Sequence, residues 1–527
     1  MKIAGLDIGT TGCKLTVFDE EGKYTDKAYR DYPVHRGSVH EIDAGRIADA
    51  VFAVIGEMAA KYHDIAWIGI TSFGETAVLV DDSGEVLLPS MLYTDPRGKE
   101  ECEKLILKSG AGDGDRGGRR IARITGLHPH EMYSLPKLMW IRDHEPAAWK
   151  RVKYVFLIED YIVWKLTGVR QIDYSLAART MAFDIASLDF SEEMLVNAGI
   201  DRSLFSEPVP IGTPAGRVLP GAAERSGLRP ETVIVSCAHD QVAAAVGAGA
   251  FDTDILVDGA GTVECMTPVF AGLPDPDVMY DGYYSAVPYV IPGTYVCYAF
   301  SYTGGALIQW CAEMLAGKEQ ALAKERGIPV YGLLEDEYRQ MEDSGRRRAG
   351  SPTGLLVLPH FAGAATPYMD TGSKGAILGL TTETTAADIY RACEEGVVYE
   401  MILNREHLAG SGLSCRKIHA TGGGARSKVW MQMKADMLGL PVTALATPDA
   451  GTVGCAMLTG IASGIFRSFS DAAAHMVEET ETYEPIPARH EKYLQVYEQY
   501  RKVYAAVRPL MGDMPAGAPA DGGESRG

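Results

Sequence analysis

The chain has 527 residues, too many for a single hydrophobic core, and its 46% hydrophobic and 23% charged content is that of a globular protein. A formal net charge of −20 argues against nucleic acid or an anionic membrane as partner, since both require a basic surface. No apolar run reaches the length of a membrane span, no secretory pattern is expected at the N-terminus, and nine cysteines scattered without a Cys-x-x-Cys pair fit reduced thiols in a cytoplasm better than disulfides or a zinc site.

The first element is a short apolar strand over 3–7 that ends in Asp7. A Gly9-Thr10-Thr11-Gly12 turn follows, then a strand over 14–18 that begins at Lys14. Such a turn offers free backbone N–H groups, two hydroxyls and glycines that let a phosphate approach the chain. Asp7 stands where a carboxylate could hold a magnesium ion or its water shell. Residues 43–61 carry Ile47, Val51, Val54, Ile55 and Met58 at helical spacing. Strand patterns recur at 66–71, 77–81 and 86–92, the last two joined by an Asp82-Ser83-Gly84 turn. The glycine-rich stretch 109–120 reads as a mobile surface loop.

A buried strand over 233–237 runs through Ala238-His239-Asp240-Gln241 into a helix over 242–246. A carboxylate at the end of a buried strand can serve as a general base, or it can simply cap the helix. The Gly247-Ala248-Gly249-Ala250 stretch reads as a hinge and sets a domain boundary there. The opening pattern then returns: an apolar strand over 255–258 enters the Gly259-Ala260-Gly261-Thr262 turn, and a strand over 263–267 follows. Two such hairpins half a chain apart indicate a duplicated domain with the ligand between the halves. Cys13 and Cys265 in these hairpins read as packed small hydrophobes.

Further on come an acidic helix over 335–343, a solvated loop over 344–350, a strand over 355–358 and a helix over 386–407. A strand over 418–421 runs into Gly422-Gly423-Gly424-Ala425, where glycines and a following helix N-terminus suit a flat or anionic ligand. The spacing is not that of a dinucleotide fingerprint, and no Walker sequence occurs. Helices are expected over 427–438, 452–463 and 489–507, then a disordered tail.

The segment Met132-Tyr133-Ser134-Leu135-Pro136-Lys137-Leu138-Met139-Trp140-Ile141-Arg142-Asp143-His144 resembles the first signature of the FGGY carbohydrate kinases. The second signature is similar to Gly375-Ala376-Ile377-Leu378-Gly379-Leu380, continuing through Asp388-Ile389 to Ala392 and Glu395. The paired hairpins, His239-Asp240-Gln241, the stretch from Pro359 to Pro367 and the Gly422 turn occur in that family's order, over residues 1 to about 510. The resemblance implies an α/β fold of two ribonuclease-H-like domains of actin/hexokinase type, 1–248 on the sugar side and 249–510 on the ATP side, with a cleft between them and a tail over 511–527. It implies transfer of the γ-phosphoryl group of ATP to a sugar hydroxyl in the cytoplasm, with magnesium. Asp240 matches the catalytic base and Asp7 the magnesium-linked acid. Thr10, Thr11 and Lys14 match the first phosphate loop, Gly261 and Thr262 the second, and Gly423, Gly424 and Ala425 the adenosine-side turn. Sugar and ATP are the implied partners, and homodimers are frequent in the family.

The substrate is read near Thr71-Ser72-Phe73-Gly74-Glu75-Thr76. The Gln-Met-His-Gly run of xylulokinases is absent. Glu75-Thr76 matches the Gln-Arg-Glu-Thr of glycerol kinases, with Gly74 in place of the arginine, and Phe73-Gly74 is closer to kinases of 6-deoxyketoses. Glu75 is expected to bind a hydroxyl pair, and Phe73 either stacks on a sugar face or belongs to the core. Two further departures are Ala364-Ala365, where the family has a charged pair, and Cys393-Glu394 in the second signature. A ketose such as a pentulose is the expected substrate. The alternatives are a polyol or 6-deoxyketose, or an actin-type ATPase or sugar-binding module without turnover.

Overall fold

The opening hairpin forms from strands Lys2–Ile8 and Gly12–Phe18, paired antiparallel with Ile3 opposite Phe18 and Asp7 opposite Lys14, in a computed structural model that describes residues 1–446 and 449–512. The expected tail lies outside the described residues from 513 onward. Tyr24–Asp31 extends the hairpin into a meander, and Ile65–Ser72 joins Lys2–Ile8 in parallel on the other side. Val233–His239 lies parallel beyond it, and Thr213–Arg217 closes that edge antiparallel. The crossover to Ile65–Ser72 is the helix Ala44–Lys61, which buries Ile47, Val51, Val54, Ile55 and Met58. Asp43 caps it, accepting from the N–H groups of Gly45 and Arg46.

The second half repeats this order. Ile255–Ala260 pairs antiparallel with Glu264–Phe270, which pairs antiparallel with Tyr295–Ser301. Lys417–Thr421 and Val442–Leu445 add in parallel on the other side, with Glu479–Tyr483 antiparallel at the edge. In both sheets the third, second, first, fourth and fifth strands stand side by side. Both ribonuclease-H-like domains are therefore present.

The two halves meet at several places, among them a helix crossing and an arginine cluster. The helix that leaves each fifth strand, Asp240–Gly247 and Ala450–Ala462, crosses its counterpart with backbones nearly touching. A Cβ on Gly247 would lie 2.8 Å from Gly454 N, and one on Gly454 would lie 2.7 Å from Gly247 N. Gly247, the first residue of the expected hinge stretch, is thus a close-packing position in this crossing. Ala450–Ala462 also lies against the first sheet, where a Cβ on Gly5 would lie 3.2 Å from Ala456 N and one on Gly69 3.0 Å from Cys455 O. Its Val453, Cys455, Ala456, Met457 and Leu458 share one apolar core with Ile3, Val235 and Cys237.

The second junction corrects the reading of 109–120. Residues 114–125 are a helix, Gly114–Thr125, capped by Asp113, whose carboxylate accepts from Arg116 N–H. Its glycines are close-packing positions: a Cβ on Gly117 would collide with the Ile106 carbonyl, and one on Gly118 with the Tyr280 ring. Arg119 of this helix bonds Asp281 at 2.8 Å and Asp277 at 3.2 Å, and Arg123 bonds Asp277 at 3.2 Å, all across to the second half. Two smaller expectations also change. Residues 86–92 hold only a bridge from Val86 to Val80 and a two-residue strand, Ser90–Met91. The last helix is broken into Pro487–Tyr500 and Val503–Val507.

Candidate active site

The turn of the first hairpin is tight, with Gly9 N–H donating to Gly12 O at 2.9 Å and the Tyr32 hydroxyl donating to the Gly9 carbonyl. Thr10 is half-buried and Thr11 exposed at its tip. Lys14 is half-buried and already paired. Its Nζ bonds Asp449 Oδ1 at 2.6 Å, across from the residue that precedes the Ala450–Ala462 helix. Asp7 lies beside the start of that helix, where a Cβ on Gly451 would be 3.2 Å from Asp7 Oδ2. Burial raises the Asp7 carboxyl above its ordinary range, and Lys14 opposes the shift.

The second turn is fixed from behind. Gly304 and Ala306 N–H groups both donate to Thr262 O at 3.0 Å, and Gly305 N–H donates to Gly261 O at 2.8 Å, so the helix Gly305–Leu315 starts directly against the hairpin. Gly261 and Thr262 are themselves exposed to the cleft. Beneath them Lys434, fully buried, bonds Asp258 Oδ2 at 2.5 Å and Glu264 Oε1. Asp258 is the positional counterpart of Asp7, but its charge is already answered by this lysine.

Gly422 takes φ +91°, and a Cβ there would lie 2.7 Å from Ala260 O, so this turn rests on the second hairpin. Gly424 is similarly confined by Ala260 and Trp430, whereas Gly423 has open space where a ligand face could lie. Ala425 is buried. Ser427 caps the helix Lys428–Leu438 and bonds Glu335 Oε1 at 2.7 Å. A cavity of about 470 Å³ opens here, lined by Gly422, Gly423, Ala425, Arg426, Lys428 and Tyr483. That volume is in the range of small-molecule sites.

Asp240 begins the helix Asp240–Gly247 on the opposite wall. Burial and the nearby Asp7 and Glu75 carboxylates push its carboxyl up to about 8, while Arg179 acts against them. Its Oδ1 lies 3.2 Å from His239 Nε2 and has no hydrogen-bond partner among the described residues. His239 is held neutral, its pKa lowered by burial and by Arg179, and its Nδ1 lies 3.2 Å from the Tyr298 hydroxyl. Its backbone N–H donates to Ser175 Oγ at 2.9 Å, which fixes the chain entering Asp240.

Glu75 is buried and takes φ +64°. Thr76 N–H donates to Gly74 O at 2.7 Å around it, a γ-turn pattern with positive central φ that is rare and strained. The Ser134 hydroxyl, in the first signature, clamps the Glu75 carbonyl at 2.7 Å. The Glu75 carboxylate is gripped by Arg179, whose Nε lies 2.5 Å from Oε1 and whose Nη2 bonds the same oxygen. Phe73, only 4% exposed, belongs to the apolar core between the first sheet and its helix, the second of the two places the sequence allowed it. Ala364 and Ala365 are buried as well, so the missing charged pair leaves no orphaned charge at that position.

Arg179, Tyr298 and Asp449 were not legible in the sequence. Arg179 sits in an Ala-Ala-Arg-Thr run, Tyr298 in an apolar strand, and Asp449 carries no motif. Each acquires its place only through a partner more than fifty residues away.

Sequence models of the FGGY family of carbohydrate kinases match residues 2–247 with the N-terminal domain and 260–463 with the C-terminal domain. A xylulose kinase of Lactococcus lactis is 25% identical over 512 residues, covering 95% of this chain and 96% of that protein. A glycerol kinase of Bordetella parapertussis is 29% identical over 504 residues, covering 92% of each. The crystal structure of xylulose kinase from Rhodospirillum rubrum superposes with a TM-score of 0.85 at 27% identity, covering 97% of this chain and all (100%) of that one. With both domain models matched along the chain, it belongs to the FGGY family of carbohydrate kinases, phosphotransferases that act on alcohol groups of sugars.

Proposed function

We propose that this kinase phosphorylates an uncharged ketose, a pentulose such as xylulose being the first candidate, with Asp240 as the general base. The observation that carries the reading is Asp240 itself: a carboxyl raised to about 8, facing Asp7 and Glu75, with an oxygen that has no hydrogen-bond partner among the described residues. A base that removes the hydroxyl proton typically contributes about 10²–10⁴-fold. The rest of the rate comes from in-line positioning and charge neutralisation, which the two turns and the helix N-terminus beside Asp7 are built to give.

Thr10, Thr11, Gly261 and Thr262 would hold phosphates, Lys14 acting with Asp449 at the rim. Gly423, Gly424 and Ala425 would hold adenosine. Magnesium fits Asp7: a single carboxylate suits an ion that keeps its waters and takes its other ligands from phosphates, and among the described residues no group of three His, Cys, Asp or Glu side chains could hold a metal alone. When bound, the ion would neutralise developing phosphate charge. A polyol is the second reading, favoured by Glu75-Thr76 and by the glycerol kinase relative.

Asp240→Asn tests the assignment. It is expected to remove nearly all sugar-dependent ADP release while ATP still binds, measured by coupled assay and by calorimetry. Turnover close to wild type would overturn the role of Asp240.

A further inference from the structure

Arg179 raises a question that the kinase reading does not answer. Its side chain lies across Gly74: a Cβ on Gly74 would be 3.0 Å from Arg179 Cγ and 3.2 Å from its Cβ. Any side chain at position 74 would displace it. The guanidinium is held on three sides. Glu75 takes Nε and Nη2. The ring of Tyr133, from the first half, lies 5.1 Å from the guanidinium carbon, and that of Tyr298, from the second half, 5.6 Å. Its third nitrogen, Nη1, is buried with no hydrogen-bond partner among the described residues. The residue is 6% exposed and lines a small cavity of about 60 Å³ with Tyr133, Ser285, Tyr298 and Phe300. A buried guanidinium nitrogen left unpaired is costly, and it recurs where a ligand completes the set.

We infer that Arg179 is the specificity-determining residue of the sugar site, its Nη1 donating to a substrate hydroxyl oxygen while the paired Glu75 carboxylate accepts from a neighbouring hydroxyl. Gly74 is glycine so that the guanidinium can lie there. The pairing also sets the substrate class. Asp7, Asp240 and Glu75 already face this end of the cleft, and the cation facing them is committed to Glu75. With Asp240 ionised as the base, a carboxylate on the substrate would meet net negative charge, whereas a vicinal pair of hydroxyls would meet one donor and one acceptor. The site therefore selects uncharged polyhydroxy substrates over aldonates. This inference rests on the kinase reading.

The test compares wild type, Arg179→Gln, Arg179→Lys, Arg179→Ala and the double variant Gly74→Arg/Arg179→Ala. ADP release is followed with glycerol, erythritol, D-xylulose and D-fructose, and with the aldonates D-xylonate and D-gluconate. Wild type should favour a neutral compound. Arg179→Gln should lose about 100-fold in kcat/KM for it, as expected when a hydrogen-bonding site loses its donor, with the KM for ATP unchanged. Arg179→Lys should keep the charge and lose the fork, falling in between. The double variant should recover about tenfold over Arg179→Ala alone, since the guanidinium returns from the other side; should it fail to fold, the Gln and Lys variants decide. Arg179→Gln within about twofold of wild type on each sugar, or a wild-type preference for an aldonate, overturns the inference and leaves the kinase standing. No sugar-dependent ADP release by wild type with either class overturns the substrate reading beneath it.

Discussion

Asp240 is where chemistry and stability oppose each other. A carboxyl raised to about 8 must be ionised to act as base, so kcat/KM for the sugar should climb with pH and level off above that value. The same shift has the opposite sign for folding. A carboxyl whose folded pKa is raised contributes stability that is fully present below its ordinary pKa and is lost as pH rises through the folded value. Asp240→Asn should therefore melt above wild type by a margin that grows from pH 4 to pH 9, read by thermal unfolding across that range; a margin independent of pH would show that Asp240 is not perturbed. Lys434 is the reverse case, a buried cation between two buried carboxylates. Lys434→Met should destabilise the second domain by about 3–5 kcal/mol, the usual cost of stripping one partner from a buried ion pair. The triple variant with Asp258→Asn and Glu264→Gln should regain most of that loss in chemical denaturation.

At the scale of elements, the two crossing helices explain their glycines. Gly247→Ala or Gly454→Ala would drive a methyl into the backbone of the facing helix, an overpacking that costs about 1–3 kcal/mol. Both should lower the melting temperature, and neither should change which sugar is preferred. Most of the elements were legible because their patterns are local: the hairpin exits at Asp7 and at Gly261, the amphipathic helix that buries Ile47 and Val51, the strand that delivers Asp240. The failures were of another kind. Residues 114–120 look like a loop because glycines suppress helix propensity, and only the neighbours Ile106 and Tyr280 show that these glycines are there for contact. Phe73 reads equally well as a stacking surface or as core until the helix over it is in place. The pairing of Lys14 with Asp449 could not be read because the partner comes from the far end of the sequence.

For the whole molecule, the two halves meet at the helix crossing and again at the arginine cluster of Arg119 and Arg123 on Asp277 and Asp281. These pairs are largely exposed, so each contributes little and is screened by salt. Arg119→Ala/Arg123→Ala should raise the sugar KM at low ionic strength and leave kcat nearly unchanged, by easing the domains apart. The difference from wild type should vanish in 0.5 M salt, and a difference that persists there would place the effect in packing with Tyr280 instead. The placement of Ala450–Ala462 on the first sheet has a consequence for how the chain is made. A ribosome releases the strands of the first sheet long before it has synthesised the helix that covers them. Until residue 462 has left the exit tunnel, the apolar surface around Ile3, Val235 and Cys237 has no lid, and the nascent N-terminal half is a natural client for chaperones. Cut free at residue 248, that half should be sticky and short-lived even though its own sheet is complete.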